Sequence, residues 1–318
     1  MAIYLDENDV KSLLSMPLAL EAVEDAHRAH ALGRAVDLPR QRTRLPGSML
    51  HILQGALPER GVIGYKAYTT SCAGMRFQVH LFDAQDGRSL AVIAADYLGM
   101  VRTGAAGGIA AKWLAREDAS VLGVIGAGWQ ARSQIEAVCA VRPIRLVKVH
   151  ARKREKLDAF CGEMAARLSC EVRPVGSAAE AAAGSDVVTT ITTSATPVLE
   201  GDWLDPGVHV NAAGSNALIR RELDEAAVRK SDLVCVDSRA VAIRECGDLL
   251  PLIEKGRIHE GQLVEIGEVV AGLRPGRTDA GQVTLFESHG MAIQDLAVGQ
   301  RLFAMATERG MGTRLPWE

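Results

Sequence analysis

Short apolar runs alternate with helical stretches through the middle of the chain. Residues 121–125, 145–150, 171–174, 186–191, 208–212 and 233–236 read as strands. Residues 154–168 and 177–183 read as helices, the second entered at a Ser cap. Alternation on this scale predicts a parallel, doubly wound sheet covered by helices on both faces. The N-terminal third has a different rhythm. After a short strand at residues 3–5, residues 17–33 predict a helix with Pro17 in its first turn and Gly33 at its end. Leu20, Val23, Ala26, His27 and His30 lie along one side of it. Residues 42–45, 49–53, 62–68 and 76–82 are β-like and separated by turn signals such as Pro46-Gly47 and Asp86-Gly87, which predicts a small, largely antiparallel meander. Residues 101–116 form a helix of small residues; 267–272 and 290–308 are helical again, the last with a clear amphipathic period.

The most informative stretch joins the first strand of the alternating region to the helix after it. It reads Gly126-Ala127-Gly128-Trp129-Gln130-Ala131. Gly126 suits a tight turn, Gly128 lets backbone approach phosphates, and the small Ala131 lets helix and strand pack closely. The helix start supplies N–H groups and the positive end of its dipole. The stretch therefore predicts a dinucleotide pyrophosphate site.

Bulk properties narrow the partners. A length of 318 residues suggests about two domains, and 48% apolar with 24% charged residues is ordinary for a globular protein. A net charge of −3 without a basic block argues against nucleic acid, and 4% aromatic residues leave no platform for stacking bases. No apolar run approaches a membrane span and no signal-peptide core is seen at the N-terminus, so a cytoplasmic protein without a membrane partner is expected. The six cysteines are widely spaced without a C-x-x-C pair, which predicts reduced thiols, no disulfide framework and no metal site. His27 and His30 lie one helical turn apart without an acidic or Cys partner, so they are expected to pack and not to ligate.

Several longer motifs occur in order: Gly64-Tyr65-Lys66, Leu81-Phe82-Asp83-Ala84-Gln85-Asp86-Gly87, Arg102-Thr103-Gly104-Ala105-Ala106, the glycine turn, the run from Gly207 to Gly214, Arg221-Glu222-Leu223-Asp224, and Val283 to Ser288. Through them the chain resembles the ornithine cyclodeaminase/mu-crystallin family over nearly its whole length. The resemblance implies a Rossmann domain, residues 113–288, inserted into a split α/β dimerisation and substrate domain, residues 1–112 plus 289–318. It also implies homodimers, a nicotinamide cofactor, and hydride transfer at the α-carbon of a small α-amino or α-imino acid. Lys66, Arg102 and Arg42 match the family's carboxylate-binding cations, with Arg40 a close alternative to Arg42. An arginine fork suits a carboxylate, whereas a lysine is a point charge that can also hand over a proton. Trp129 and Gln130 match positions whose backbone N–H groups face the pyrophosphate; Thr192, Arg220 and Ser288 match further cofactor contacts.

Three positions refine the expectation. At the end of the second strand, where an NAD enzyme usually carries a carboxylate for the ribose hydroxyls, this chain has Ala151 followed by Arg152-Lys153-Arg154. Arg152 would attract a 2′-phosphate, so NADP(H) is expected to be preferred over NAD(H). Asn216 stands where ornithine cyclodeaminase has an aspartate that exchanges protons with substrate amines, and asparagine cannot act as a base near neutral pH. His51 aligns with a glutamate of that enzyme. Reduction of a preformed imine, such as pyrroline-2-carboxylate to proline, asks less: a hydride, one proton from Lys66, and a clamp on the carboxylate. The alternatives are ornithine cyclodeamination itself, alanine dehydrogenase-like deamination, and an NADPH-dependent ligand-binding protein without turnover.

Overall fold

The computed structural model describes residues 2–214 and 217–316. The chain forms two compact units, Met1–Arg102 with Met291–Glu318, and Thr103–Gly290. The junction at residue 103 lies inside the helix Asp96–Leu114 and not at its end.

The first unit is built on the expected meander. Strands β2 (Val36–Leu45), β3 (Ser48–Leu57), β4 (Val62–Ser71), β5 (Gly74–Asp83) and β6 (Ser89–Ala94) pair antiparallel in sequence order. Strand β1 (Ile3–Leu5) joins parallel to β6, and Thr313–Arg314 closes that edge. The strands extend beyond the alternating segments because backbone ladders continue into exposed hairpin tips, where Leu45 and Met75 stand out in solvent. The amphipathic helix Ala292–Arg309 packs on this sheet, burying Ile293, Leu296, Ala297 and Leu302. Gly64 makes close packing possible: a Cβ there would stand 2.2 Å from the His80 carbonyl oxygen and 3.0 Å from Leu296.

Two local expectations are corrected in this unit. The helix Met16–Ala31 turns Ala19, Ala22, Val23, Ala26 and His27 inward, while Leu20 and His30 are only half-buried. The i, i+3, i+4, i+7, i+8 stripe starting at Ala19 is the better-formed one. The small-residue helix begins at Asp96, earlier than its composition indicates, because the Glu7 carboxylate accepts from the Asp96 and Tyr97 amides at 2.8 and 3.2 Å. That cap comes from the start of the helix Glu7–Leu13, itself announced by a reciprocal Asp6/Asp9 capping box.

The second unit is an eight-stranded parallel sheet: β7 (Val121–Ile125), β8 (Leu146–His150), β9 (Glu171–Pro174), β10 (Val187–Thr190), β11 (His209–Ala212), β12 (Leu233–Val236), β13 (Val264–Glu265) and β14 (Thr284–Glu287). Their spatial order is β13-β12-β14-β11-β10-β7-β8-β9. The chain winds outward from β7 through β8 to β9, then returns to the other side of β7 with β10. This doubly wound α/β arrangement opens a crevice at the carboxyl ends of β7 and β10, where such sheets bind their ligands. Strand β14 inserts between β11 and β12 and is wholly buried. No helix among the described residues is long and apolar enough to cross a membrane.

Candidate active site

The glycine turn lies at that crevice. Gly126 has φ +120°, and a Cβ on it would meet the Ile191 carbonyl oxygen at 2.4 Å. Its amide donates to His150 O at the end of β8, at 2.8 Å. Gly128 is the N-cap of the helix Trp129–Val141 and brings no side-chain cap; a Cβ there would find nothing within 4 Å. The helix start is thus left open to an incoming anion. Trp129 is exposed and Gln130 half-buried, while Ala131 is fully buried against the sheet. The cradle fits a dinucleotide pyrophosphate. Gly126→Ala should weaken binding of a nicotinamide dinucleotide by about 5- to 150-fold, the equivalent of about 1–3 kcal/mol of backbone strain. Fluorescence titration with an unchanged far-UV spectrum checks this; undiminished binding would remove the turn from the site.

Arg152 is exposed beyond the end of β8 and Ala151 half-buried. Ser288 is buried just past β14, its amide donating to Ala212 O at 3.0 Å. Arg220 is half-buried and its guanidinium donates to the Thr193 carbonyl. Asn216 lies outside the described residues. Thr192 is engaged by a motif residue to which the sequence assigned no role of its own. The fully buried Glu222 accepts from the Thr192 amide and hydroxyl at 2.6 Å each, from the Thr190 hydroxyl at 2.9 Å and from the Gly214 amide at 2.7 Å. Burial pushes its pKa up to about 7 against the pull of these donors. Glu222 ties together the turns that follow β10 and β11. It sits inside the Arg221–Asp224 motif, but its four donors come from other segments.

The first unit gathers a second cluster. Lys66 on β4 is 3% exposed, and its Nζ donates to Asp295 Oδ1 at 2.8 Å. Arg102 Nε donates to the same oxygen at 3.0 Å, and its Nη1 to Gln294 Oε1 at 2.7 Å. Gln294 Nε2 in turn lies 3.1 Å from His27 Nε2, which must accept. Asp295 Oδ2 is buried with no hydrogen-bond partner among the described residues. Gly99 leaves room for the lysine head: a Cβ there would stand 3.0 Å from Lys66 Nζ.

Burial is the largest influence on Lys66. It lowers the pKa to about 8, with Asp295 opposing and Arg102 and Arg40 adding to the fall. Arg40 is thus the arginine of β2 whose charge bears on Lys66. It sits at a register break between Leu38 and Gln41, whereas Arg42 lies opposite His51 on the neighbouring strand. His51 stacks on Tyr68 at 4.1 Å, and Tyr68 on Phe77 at 5.0 Å. His51 is therefore held in an aromatic ladder. Lys66 and Arg102 were legible in the sequence; Asp295, Gln294 and His27 as their partners were not. The Asp and Gln lie on a helix about two hundred residues away in the chain, where they read as polar interruptions of an apolar face.

A dinucleotide cradle on a doubly wound sheet, with a buried Lys–Arg–Asp cluster in an accompanying α/β unit, defines an NAD(P)-dependent oxidoreductase. The comparisons with known proteins agree. The chain belongs to the ornithine cyclodeaminase/mu-crystallin family, whose model matches residues 2–309. It is 35% identical to an alanine dehydrogenase of Archaeoglobus fulgidus over 98% of each chain. It superposes on the Delta(1)-pyrroline-2-carboxylate reductase of Thermococcus litoralis, solved with NADH and L-proline, with a TM-score of 0.94 at 33% identity, covering 98% of this chain and 100% of that one. An archaeal alanine dehydrogenase dimer with bound NAD gives a TM-score of 0.94 at 33% identity, covering 100% and 99%.

Proposed function

We propose that the protein reduces a small α-imino acid to the amino acid, with a cyclic ketimine such as pyrroline-2-carboxylate giving proline. The observation that carries this reading is the buried Lys66, lowered to about 8 and sharing Asp295 with Arg102. The reduced nicotinamide, when bound, supplies the hydride. Trp129 and Gln130, with the two glycines, present backbone N–H groups to the pyrophosphate, and Thr192, Arg220 and Ser288 serve the rest of the cofactor. In the first unit, Arg102 and Arg40 hold the substrate carboxylate; Arg40 takes the place of Arg42 because its charge reaches Lys66. Lys66 Nζ gives one proton to the imine nitrogen, and Asp295 holds the ammonium in place. An asparagine at position 216 supplies no base for the amine proton transfers of a cyclodeaminase.

The sign of the pH dependence follows. Below about 8 Lys66 is the ammonium needed for imine protonation. Imine reduction should therefore hold level at lower pH and fall as pH rises through that value, while oxidation of the amino acid rises over the same range. A pH profile of kcat/KM that shows no break near it would remove Lys66 as the proton donor.

NADPH is the preferred donor in this reading. The solved relatives named above were captured with NADH and NAD; what favours NADPH here is Ala151 in place of a carboxylate and the exposed Arg152 beside it. Arg152→Ser should raise the Kd for NADPH by roughly tenfold, about 1.5–3 kcal/mol for a charged hydrogen bond less solvent screening, and leave NADH within twofold. Equal effects on both would sink the preference.

A homodimer is also proposed. Val36, Leu38 and Ile63 expose apolar surface on the sheet face opposite Lys66, beside the stacked Tyr65 and His80. A second copy would cover it, as the dimeric state of the archaeal alanine dehydrogenase supports.

One assay decides the reaction. Pyrroline-2-carboxylate should drive net NADPH oxidation. L-Ornithine with catalytic NAD⁺ should release no ammonia; ammonia without net cofactor change would establish cyclodeamination, and tight NADPH binding without turnover of any amino or imino acid a binding protein.

A further inference from the structure

We propose that Cys246, Glu287 and His289 form a binding site for a zinc-class divalent cation inside the nucleotide-binding unit. One ligand atom from each lies within 4.8 Å of the others, and all three residues are buried. They are far apart in sequence: Cys246 follows the helix Arg239–Glu245, Glu287 ends β14, and His289 lies two residues on.

Glu287 is the observation that points to a ligand. It is fully buried, and neither carboxylate oxygen has a hydrogen-bond partner of N–H or O–H type among the described residues. Its carboxyl meets the weak thiol donor of Cys246. The buried carboxylates nearby are provided for quite differently. Glu222 accepts four hydrogen bonds, and Asp248 Oδ1 accepts two backbone amides at 2.8 Å each. Burial and the charges of Asp248, Glu222 and Asp237 all push the Glu287 carboxyl well above its usual range. A carboxylate so placed must either keep its proton or hold a cation.

The surroundings favour the cation. His289 Nδ1 faces Asp237 Oδ1 at 3.3 Å, and Asp237 Oδ2 accepts from the His289 and Gly290 amides at 2.7 and 2.5 Å. A carboxylate on one ring nitrogen fixes the imidazole and makes its other nitrogen the better ligand, an outer-shell arrangement that recurs in metal sites. Sulfur, nitrogen and carboxylate oxygen together suit zinc and not magnesium or calcium. The three side chains leave the fourth position of a tetrahedral site to water. Binding releases the Cys246 thiol proton and the proton that Glu287 otherwise keeps, and places a thiolate and a carboxylate on the ion. The ion would pin the end of β14, next to Ser288, to the segment that follows the helix Arg239–Glu245.

The test is metal analysis of the full-length protein produced in zinc-supplemented medium, with X-ray absorption at the zinc edge. About one zinc per chain with a single sulfur ligand is expected. Cys246→Ser and Glu287→Gln should each lower zinc retention at least about tenfold, and Asp237→Asn should weaken it by about 10- to 100-fold. Cobalt exchanged into the wild-type protein should give a thiolate-to-metal charge-transfer band, a readout that does not depend on a variant folding. Wild-type protein that neither carries zinc nor takes it up on refolding with zinc, or zinc bound without sulfur, would overturn the site. Imine reduction without bound zinc would leave the proposed function standing and bear on this site alone.

Discussion

Lys66→Met should lower kcat/KM for imine reduction by about 10²- to 10⁴-fold, the range for loss of a positioned proton donor. The effect should fall on kcat more than on KM, because the proton is needed only as the amine forms. NADPH affinity should be unchanged, since the glycine cradle is built from the other unit. Methionine keeps the volume of the lysine stem, and Asp295 retains Arg102 at 3.0 Å, so no buried carboxylate is stranded. Steady-state kinetics with a fluorescence titration of NADPH separates the two steps. Activity within tenfold of wild type would mean that the proton comes from water or another group. The alkaline fall in the pH profile should vanish in the same variant.

Arg102→Met should have the second-largest effect, with the opposite signature. Arg102 is buried, 8% exposed, and its guanidinium is already oriented by Asp295 and Gln294, so it meets a carboxylate without first paying to be ordered. Loss of a fork worth about 3–4 kcal/mol should raise KM for the imino acid by roughly 10²- to 10³-fold. Arg102→Lys should recover little, because an ammonium cannot reproduce the fork. Loss of Arg102 also removes one of the charges that depress Lys66, so the break in the pH profile should move upward. A variant whose KM is unchanged would show that the carboxylate is held elsewhere, with Arg40 the first place to look.

Much of the architecture could be read from local pattern. The strands Glu171–Pro174 and Leu233–Val236 fall where the sequence places them, and the Ser177 cap is formed as expected, accepting from the Glu180 amide at 3.1 Å. Strand β14 escaped reading as a strand because its four residues, Thr284 to Glu287, hold only two apolar positions between polar ends, too short a run to stand out. The early start of the helix Asp96–Leu114 escaped because its cap, Glu7, comes from another part of the chain.

The sequence by itself determined the meander, the strand–helix alternation, the glycine turn and the two cations Lys66 and Arg102. Each is written within a dozen residues, in periodicity or in a residue type that few structural needs explain. Only the tertiary structure decided what those cations do, because acidity and orientation depend on neighbours distant in the chain. Asp295 holds both, Gln294 and His27 extend the network, and Arg40 is the third charge on Lys66. The same holds for Glu222 and for the cluster of Cys246, Glu287 and His289. Folding takes each out of water and sets its partners, and the loss of water is what changes a surface-type side chain into one that holds a turn, a proton or an ion.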